Sequence, residues 1–138
     1  MRYLPLLILF LSPSLGSAQF QHTFYQTFEL SDSIKQLEIS VSGNFKLETW
    51  VGNTILVETK VVLENGNRAL FNFLSKTGRY QIAGQQVDST LQIKSEMEAP
   101  PMFITPSGPT REQVNTKIMI PDVFGSVDSL NWVLKPEF

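Results

Sequence analysis

The segment that decides the fold runs from Leu37 to Glu64 and reads LEISVSGNFKLETWVGNTILVETKVVLE. Apolar and polar residues alternate along it, and a Gly-Asn pair interrupts the alternation at 43–44 and again at 52–53. A period of two, rich in β-branched residues and broken by Gly and Asn, is typical of strands joined by turns. The segment therefore predicts three short strands that turn one face toward a core.

Strand patterns continue on both sides of this segment. Residues 22–30 alternate upstream of it, and 79–83, 90–96 and 114–120 do so downstream. Trp132 lies in a further apolar stretch that predicts a final short strand. The chain is therefore expected to be mostly β from end to end.

One stretch changes to a helical period. Asn67 suits the N-cap of a helix and Gly78 suits its C-terminal stop. Between them, four apolar residues follow the spacing i, i+1, i+3, i+4 of one helix face. We predict a short helix over 68–76 whose two phenylalanines cover an open end or face of the sheet. The four apolar residues are Leu70, Phe71, Phe73 and Leu74.

The segment 99–110 is rich in proline. It holds four prolines and Gly108, and proline cannot donate to a strand ladder. We expect an exposed loop, which could be a hairpin tip or a linker. Met102 and Phe103 lie at its centre.

The first 18 residues predict a cleaved signal peptide. Arg2 precedes an apolar run from Leu4 to Leu11, which is short of the roughly 20 residues of a membrane-spanning helix. Small residues at Gly16 and Ala18 suit a signal peptidase, so we expect cleavage after Ala18. No cysteine follows the run to carry a lipid anchor. The chain is expected in the periplasm, outside the cell or at its surface, with no integral membrane span after cleavage.

The composition of residues 19–138 excludes some classes of partner. Eleven basic residues, less Arg2, leave 10 against 13 acidic residues, a net charge of about −3 without a basic stripe. This balance argues against nucleic acid and anionic lipid as partners. The chain has no cysteine, so its fold is held without disulfides. The length suits a single domain.

The sequence offers little material for catalysis. We expect the single histidine, His22, to be an ordinary surface residue, and one histidine without cysteine does not make a zinc site. No calcium loop, phosphate-binding glycine loop or nucleophile elbow occurs. Glu38, Glu48 and Glu58 recur at intervals of ten on outward strand phases, which indicates a solvated face. We predict no catalytic residue, metal or cofactor. The alternative is an extracytoplasmic enzyme whose acidic residues converge in space.

Three apolar residues are candidate partner contacts. Trp50 falls on the polar phase of its strand beside a turn, and an exposed tryptophan can stack on a sugar or anchor a protein interface. Met102 and Phe103 lie in the middle of the proline-rich segment. The alternative is that these residues cap the core.

The repeated strand and Gly-Asn turn pattern of residues 37–64 resembles one coil, or rung, of a bacterial adhesin-type domain family of unknown function, which is a β-solenoid family. The turns VSGN at 41–44 and WVGN at 50–53 carry the resemblance, with a weaker echo in 114–121, where the strand ends in IMIP. The helix at 68–76 departs from the rung pattern, and the chain ends about one strand after Pro121, where the family continues for several rungs. The resemblance implies an architecture and an envelope setting, and it carries over no catalytic residue.

These patterns together predict an all-β fold with one short helix. We expect a single-domain β-solenoid or β-roll-like stack of short strands over 19–138, with a β-sandwich as the alternative. The expected function is that of an exported, non-catalytic envelope or surface module, adhesin-like, that binds a protein or glycan. A further alternative is an assembly subunit completed by edge-strand pairing, since an open strand edge is a template for self-association.

Overall fold

The computed structural model of the chain describes residues 19–96, 102–105 and 108–136. The expected signal peptide at 1–18 lies outside these residues. Within them the chain is mainly strand with one short helix, which confirms the fold class. The elements in chain order are β1 (Gln19–Phe28), β2 (Gln36–Ser40), β3 (Asn44–Trp50), β4 (Ile55–Glu64), α1 (Arg68–Lys76), β5 (Ile82–Val87), β6 (Thr90–Ser95), β7 (Met102–Thr105), β8 (Gly108–Pro121), β9 (Phe124–Ser126) and β10 (Asn131–Leu134).

The strands form two mixed sheets. The first has the order β1-β4-β8-β3, and β7 also pairs with β8. Within this first sheet, β3 and β8 are the only described neighbours that run parallel. The second has the order β5-β6-β2-β10-β9, in which β2 and β6 are parallel. The β-solenoid detail is not confirmed, because most neighbouring strands here run antiparallel, whereas the coils of a parallel β-helix stack strands in parallel.

The main core lies between the two sheets. The alternation of β2 and β4 turns Leu37, Ile39, Ile55 and Val57 inward, and each is at most 1% exposed. Residues of both sheets therefore bury their apolar faces against each other, which is the packing of a sandwich. This core consists of Ile34, Leu37, Ile39, Val41, Ile55, Val57, Ile82, Leu91, Ile93, Ile118, Ile120, Phe124 and Trp132.

A second core lies where the helix covers the other half of the first sheet. The helix spans the predicted residues, and the Asn67 side chain accepts a hydrogen bond from the Leu70 N–H at 2.9 Å as its N-cap. Phe71 is buried, but Phe73 is 64% exposed. The expectation that both phenylalanines cover the sheet was therefore wrong for Phe73, because residues two apart on a helix face different directions. This core holds Val61, Leu63, Phe71, Leu74 and Tyr80.

Strand pairing reaches into the proline-rich segment. β7 and the start of β8 form an antiparallel pair inside the predicted loop 99–110. Pro109 is the second residue of β8 and Pro121 its last, and strand ends are positions where a missing N–H is tolerated. The prolines therefore mark the limits of a hairpin strand, and the predicted loop is shorter than 99–110.

Candidate functional site

The site begins with a gap along one edge of β8. β7 pairs with residues 108–111 of that strand, and β3 pairs with 115–121. Residues 112–114 lie between the two partners, and on this edge no described strand pairs with them. The first sheet therefore has an unpaired stretch of edge at the middle of β8, the longest of the described strands.

A cleft of about 510 Å³ lies at this gap. That volume falls in the range of roughly 300–1,000 Å³ typical of small-molecule sites. The cleft is bordered by the link from β2 to β3, by the turn after α1 and by the middle of β8. Its lining comprises Val41, Ser42, Gly43, Asn44, Thr59, Arg79, Tyr80, Gln81, Ile82, Ser95, Glu112, Gln113, Val114, Asn115 and Thr116.

A buried ion pair lies in the wall of the cleft. Arg79 Nε donates to Glu112 Oε2 at 2.9 Å, and Arg79 Nη2 donates to Oε1 at 2.9 Å. The two side chains are only 10% and 5% exposed. Gly78, in the left-handed conformation with φ +83°, ends the helix and is followed by the turn that carries Arg79 into the cleft. Two-point contact of this kind fixes the carboxylate in orientation as well as position.

Tyr80 completes this cluster. Its hydroxyl donates to Glu112 Oε2 at 2.6 Å, a length typical of a charge-assisted bond. Burial, together with the hydrogen bond and charge of Glu112, raises the pKa of Tyr80 above its ordinary value. Both oxygens of Glu112 are thus engaged by hydrogen-bond donors.

Two threonines lie between the two cores. Thr59 of β4 and Thr116 of β8 are register partners and are 1% and 4% exposed. The Thr59 Oγ1 atom is buried and has no hydrogen-bond partner among the described residues. A buried hydroxyl without a partner costs about 1–3 kcal/mol, so such groups in native proteins call for an explanation. Thr59 also contributes to the lining of the cleft.

The rim of the cleft is polar and uncharged. Asn44, Gln81, Gln113 and Asn115 contribute to the lining and are exposed, and an amide side chain both donates and accepts hydrogen bonds. The Ser95 hydroxyl accepts from the Ser42 N–H at 2.9 Å and ties the end of β6 to the link between β2 and β3. The only charged side chains in the described lining neutralise each other within the ion pair.

A smaller cavity of about 250 Å³ adjoins the cleft and shares Tyr80 and Gln81 with it. Its other lining residues are mostly aromatic, and the exposed His22 ring lies 4.9 Å from that of Phe71. The described lining of this cavity contains no acidic residue beside His22.

Trp50 lies away from the cleft. It ends β3 at the opposite end from Asn44, its Nε1 donates to the Thr54 carbonyl at 2.9 Å, and its side chain is half-buried. The indole covers Gly52 so closely that a Cβ on that glycine would meet the ring at 2.3 Å. The indole thus packs against the turn that follows its own strand, and its role as a partner contact stays a prediction.

Met102 and Phe103 lie in β7 rather than at a loop tip. Met102 is the register partner of Arg111, immediately before Glu112, so the backbone of β7 borders the gap. The structure therefore brings this predicted contact segment next to the cleft, while Trp50 is elsewhere. Their role as contacts stays a prediction.

Sequence reasoning missed the residues that build the cleft. The sequence predicts this strand only over 114–120. The same alternation, extended back to Gly108, places Glu112 on the buried phase with Thr116. A carboxylate on a buried strand phase is a usable signal, because such a group needs a partner. Nothing local in the sequence points to Arg79 as that partner.

The described part of the chain shows no cluster of three His, Cys, Asp or Glu residues that could hold a metal ion. In the same residues, no helix has the length and apolar character needed to cross a membrane.

Comparisons with known proteins assign no function to this site. The resemblance of 37–64 and 114–121 to the adhesin-type family stays a prediction. No family model, no curated protein and no solved structure matches this chain.

Proposed function

We propose that this chain is an exported, non-catalytic binding module of a bacterial envelope or surface, and that the cleft at the β8 gap holds a segment of an uncharged glycan. The observation that carries the proposal is the buried Thr59 hydroxyl, which lines the cleft without a partner among the described residues. A ligand hydroxyl that penetrates to the Thr59 Oγ1 atom, which is covered in the free chain, would supply the missing hydrogen bond.

The chemistry of the lining favours a hydroxylated, neutral ligand. Outside the ion pair, the described lining is uncharged and rich in Asn, Gln, Ser and Thr, whose polar groups suit hydrogen bonds to sugar hydroxyls. A charged ligand would gain little, because the Arg79 and Glu112 charges are already matched within 3 Å. The partner is therefore expected to be recognised by hydrogen bonds rather than by net charge.

The arrangement of acidic groups favours binding over cleavage. Glycoside hydrolysis commonly uses two carboxylates, one on each side of the scissile bond. Glu112 is the only carboxylate in the described lining, and Arg79 and Tyr80 occupy both of its oxygens. The alternative of an extracytoplasmic enzyme would need a second acidic group that this part of the cleft does not provide.

Replacing Thr59 with valine is expected to weaken glycan binding and to stabilise the free protein. Loss of one hydrogen bond of about 0.5–1.5 kcal/mol raises the Kd by about twofold to tenfold. The free energy of unfolding should rise by about 1 kcal/mol, because a buried hydroxyl without a partner is removed. NMR titration with neutral oligosaccharides measures the first effect, and urea unfolding without ligand measures the second.

Thr27→Val is the matched control, since Thr27 is exposed on the outer face of β1 and lies outside the cleft lining. It should change neither quantity. The proposal fails if acidic oligosaccharides or peptides bind and neutral ones do not, or if Thr59→Val binds neutral sugars as well as the wild type.

Export is tested separately from ligand binding. The protein recovered from the periplasm or medium should begin at Gln19, which is also the first residue of β1. Ala18→Leu should accumulate as the uncleaved precursor, because a signal peptidase requires a small residue there. Ser17→Leu changes the position between the two small residues and should be processed normally. Intact mass and N-terminal sequencing decide the outcome, and a cytoplasmic, unprocessed wild type would contradict export.

A further inference from the structure

The two sheets present their β1 and β5 edges at the same side of the sandwich. β1 is the edge strand of the first sheet and β5 that of the second. Gln26 Nε2 of β1 donates to the Ile82 carbonyl at 3.1 Å. The Phe28 ring covers Gly84 of β5, where a Cβ would meet it at 2.7 Å. The two edges therefore form one continuous side of the molecule.

This side lacks the features that usually protect strand edges. β1 has 10 residues, reads QFQHTFYQTF, and contains no Asp, Glu, Lys, Arg or Pro; β5 reads IAGQQV and is equally free of them. Natural proteins guard exposed edges with charges, prolines or very short strands. The other described edges follow that rule, since β3 carries Lys46 and Glu48, and β7 and β9 have only four and three residues.

We propose that β1 pairs in antiparallel fashion with β1 of a second copy of this chain, about a two-fold axis. A two-fold interface brings the same patch of both subunits together, so the patch must be self-complementary. An uncharged strand meets this condition, because antiparallel pairing with itself places no like charges opposite each other. The pairing joins the first sheets of the two copies into one continuous sheet and does not involve the cleft.

The alternation of side chains restricts the register of this pairing. Each sheet must keep its inner residues on one face, so inner residues pair only with inner residues. Phe20, Phe24 and Phe28 of the inner face are all half-buried in the single chain. The register with Phe24 on the axis places Phe24 opposite itself and Phe20 opposite Phe28. Aromatic pairs across strands are favourable, and they would cover apolar surface that the single chain leaves partly exposed.

The same register places Thr23 opposite Tyr25 of the second copy on the outer face. Tyr25 is 63% exposed and Thr23 is also exposed, so both accept substitution without disturbing a core. Within one chain, Thr23 is the partner of Lys60, and Tyr25 is the partner of Glu58. These neighbours decide which charges can be introduced.

The test compares two double variants of the full chain with the wild type by sedimentation equilibrium. The wild type should have the mass of two chains. The variant T23E/Y25E places glutamates opposite each other across the axis and should have the mass of one chain. The variant T23E/Y25K places Glu opposite Lys across the axis and beside Lys60 and Glu58 of its own sheet, and should remain a dimer.

Circular dichroism melting shows that both variants are folded, so loss of the dimer is separated from loss of the fold. A monomeric wild type overturns the proposal. So does a T23E/Y25E variant that remains dimeric, or a T23E/Y25K variant that dissociates to the same extent. None of these outcomes bears on glycan binding, which is measured on different residues.

Discussion

Replacing Glu112 with alanine is expected to lower the free energy of unfolding by roughly 3–5 kcal/mol. The Glu112 side chain is 5% exposed and accepts hydrogen bonds from Arg79 and from the Tyr80 hydroxyl. Alanine removes the negative charge beside a guanidinium that is itself 10% exposed. It also takes the acceptor from a buried hydroxyl. A buried charge that loses its counter-charge is far more costly than an exposed one.

Chemical denaturation of the variant and the wild type measures this loss. Glu48→Ala is the matched control, because Glu48 contacts Lys46 at 2.9 Å and Lys117 at 3.3 Å on the solvated face of the same sheet. These two contacts hold the pKa of Glu48 below its usual range, yet solvent screens such pairs. The control should unfold close to the wild type. Equal losses in the two variants would show that the Glu112 cluster does not contribute through its burial.

Replacing Ile118 with alanine is expected to lower the free energy of unfolding by roughly 2–5 kcal/mol. Ile118 is fully buried in the core between the sheets. It lies on β8, where it is the partner of Val57 in β4 and of Leu47 in β3. Neighbours held by two ladders cannot move in to fill the space, so the variant keeps most of the cavity that the lost side chain leaves.

Urea unfolding followed by tryptophan fluorescence measures this effect, with Val127→Ala as the control. Val127 follows β9 and is 64% exposed, so its truncation should change the free energy of unfolding by less than about 0.5 kcal/mol. If the two variants unfolded at the same urea concentration, the sheets would not share the core described here.

Local pattern was enough to predict β2, β3, β4 and the helix, but the strand expected at 79–83 lies at Ile82–Val87, and β7 and β9 were not predicted. The alternation of 37–64 places β2, β3 and β4 as observed, and the helix has its predicted residues. The N-cap contact at Asn67 and the positive φ of Gly78 explain why the two ends of the helix could be predicted. Both signals depend on neighbours within a few positions along the chain.

The pairing of these strands could not be predicted from local sequence. Short alternating strands and Gly-Asn turns occur in solenoids and sandwiches alike, and the difference lies in which strands become neighbours. Here β2 pairs with β6, and β3 with β8, across about 50 and 70 residues of chain. Such choices follow from burial over the whole molecule, so the repeat of turns in 37–64, which favoured a solenoid, could not by itself decide the pairing of the strands.

The cleft was hidden for a related reason. It exists because β7 leaves β8 at Arg111 and β3 joins it at Asn115. No residue pattern within β8 predicts where either pairing ends. In the sequence, Thr59 is one more β-branched residue on the inward phase of its strand. Only the structure shows that its hydroxyl is buried without a hydrogen-bond partner among the described residues.

The length of β8 links the two halves of the molecule into one cooperative unit. Val114 packs with the helix-covered core, and Ile118 and Ile120 belong to the core between the sheets. β4 spans the same two cores, with Val61 in one and Val57 in the other. Neither core can therefore open while the other keeps its strands. A ligand held at Thr59, on the seam between the cores, would slow the opening of both and protect amides far from its own contacts.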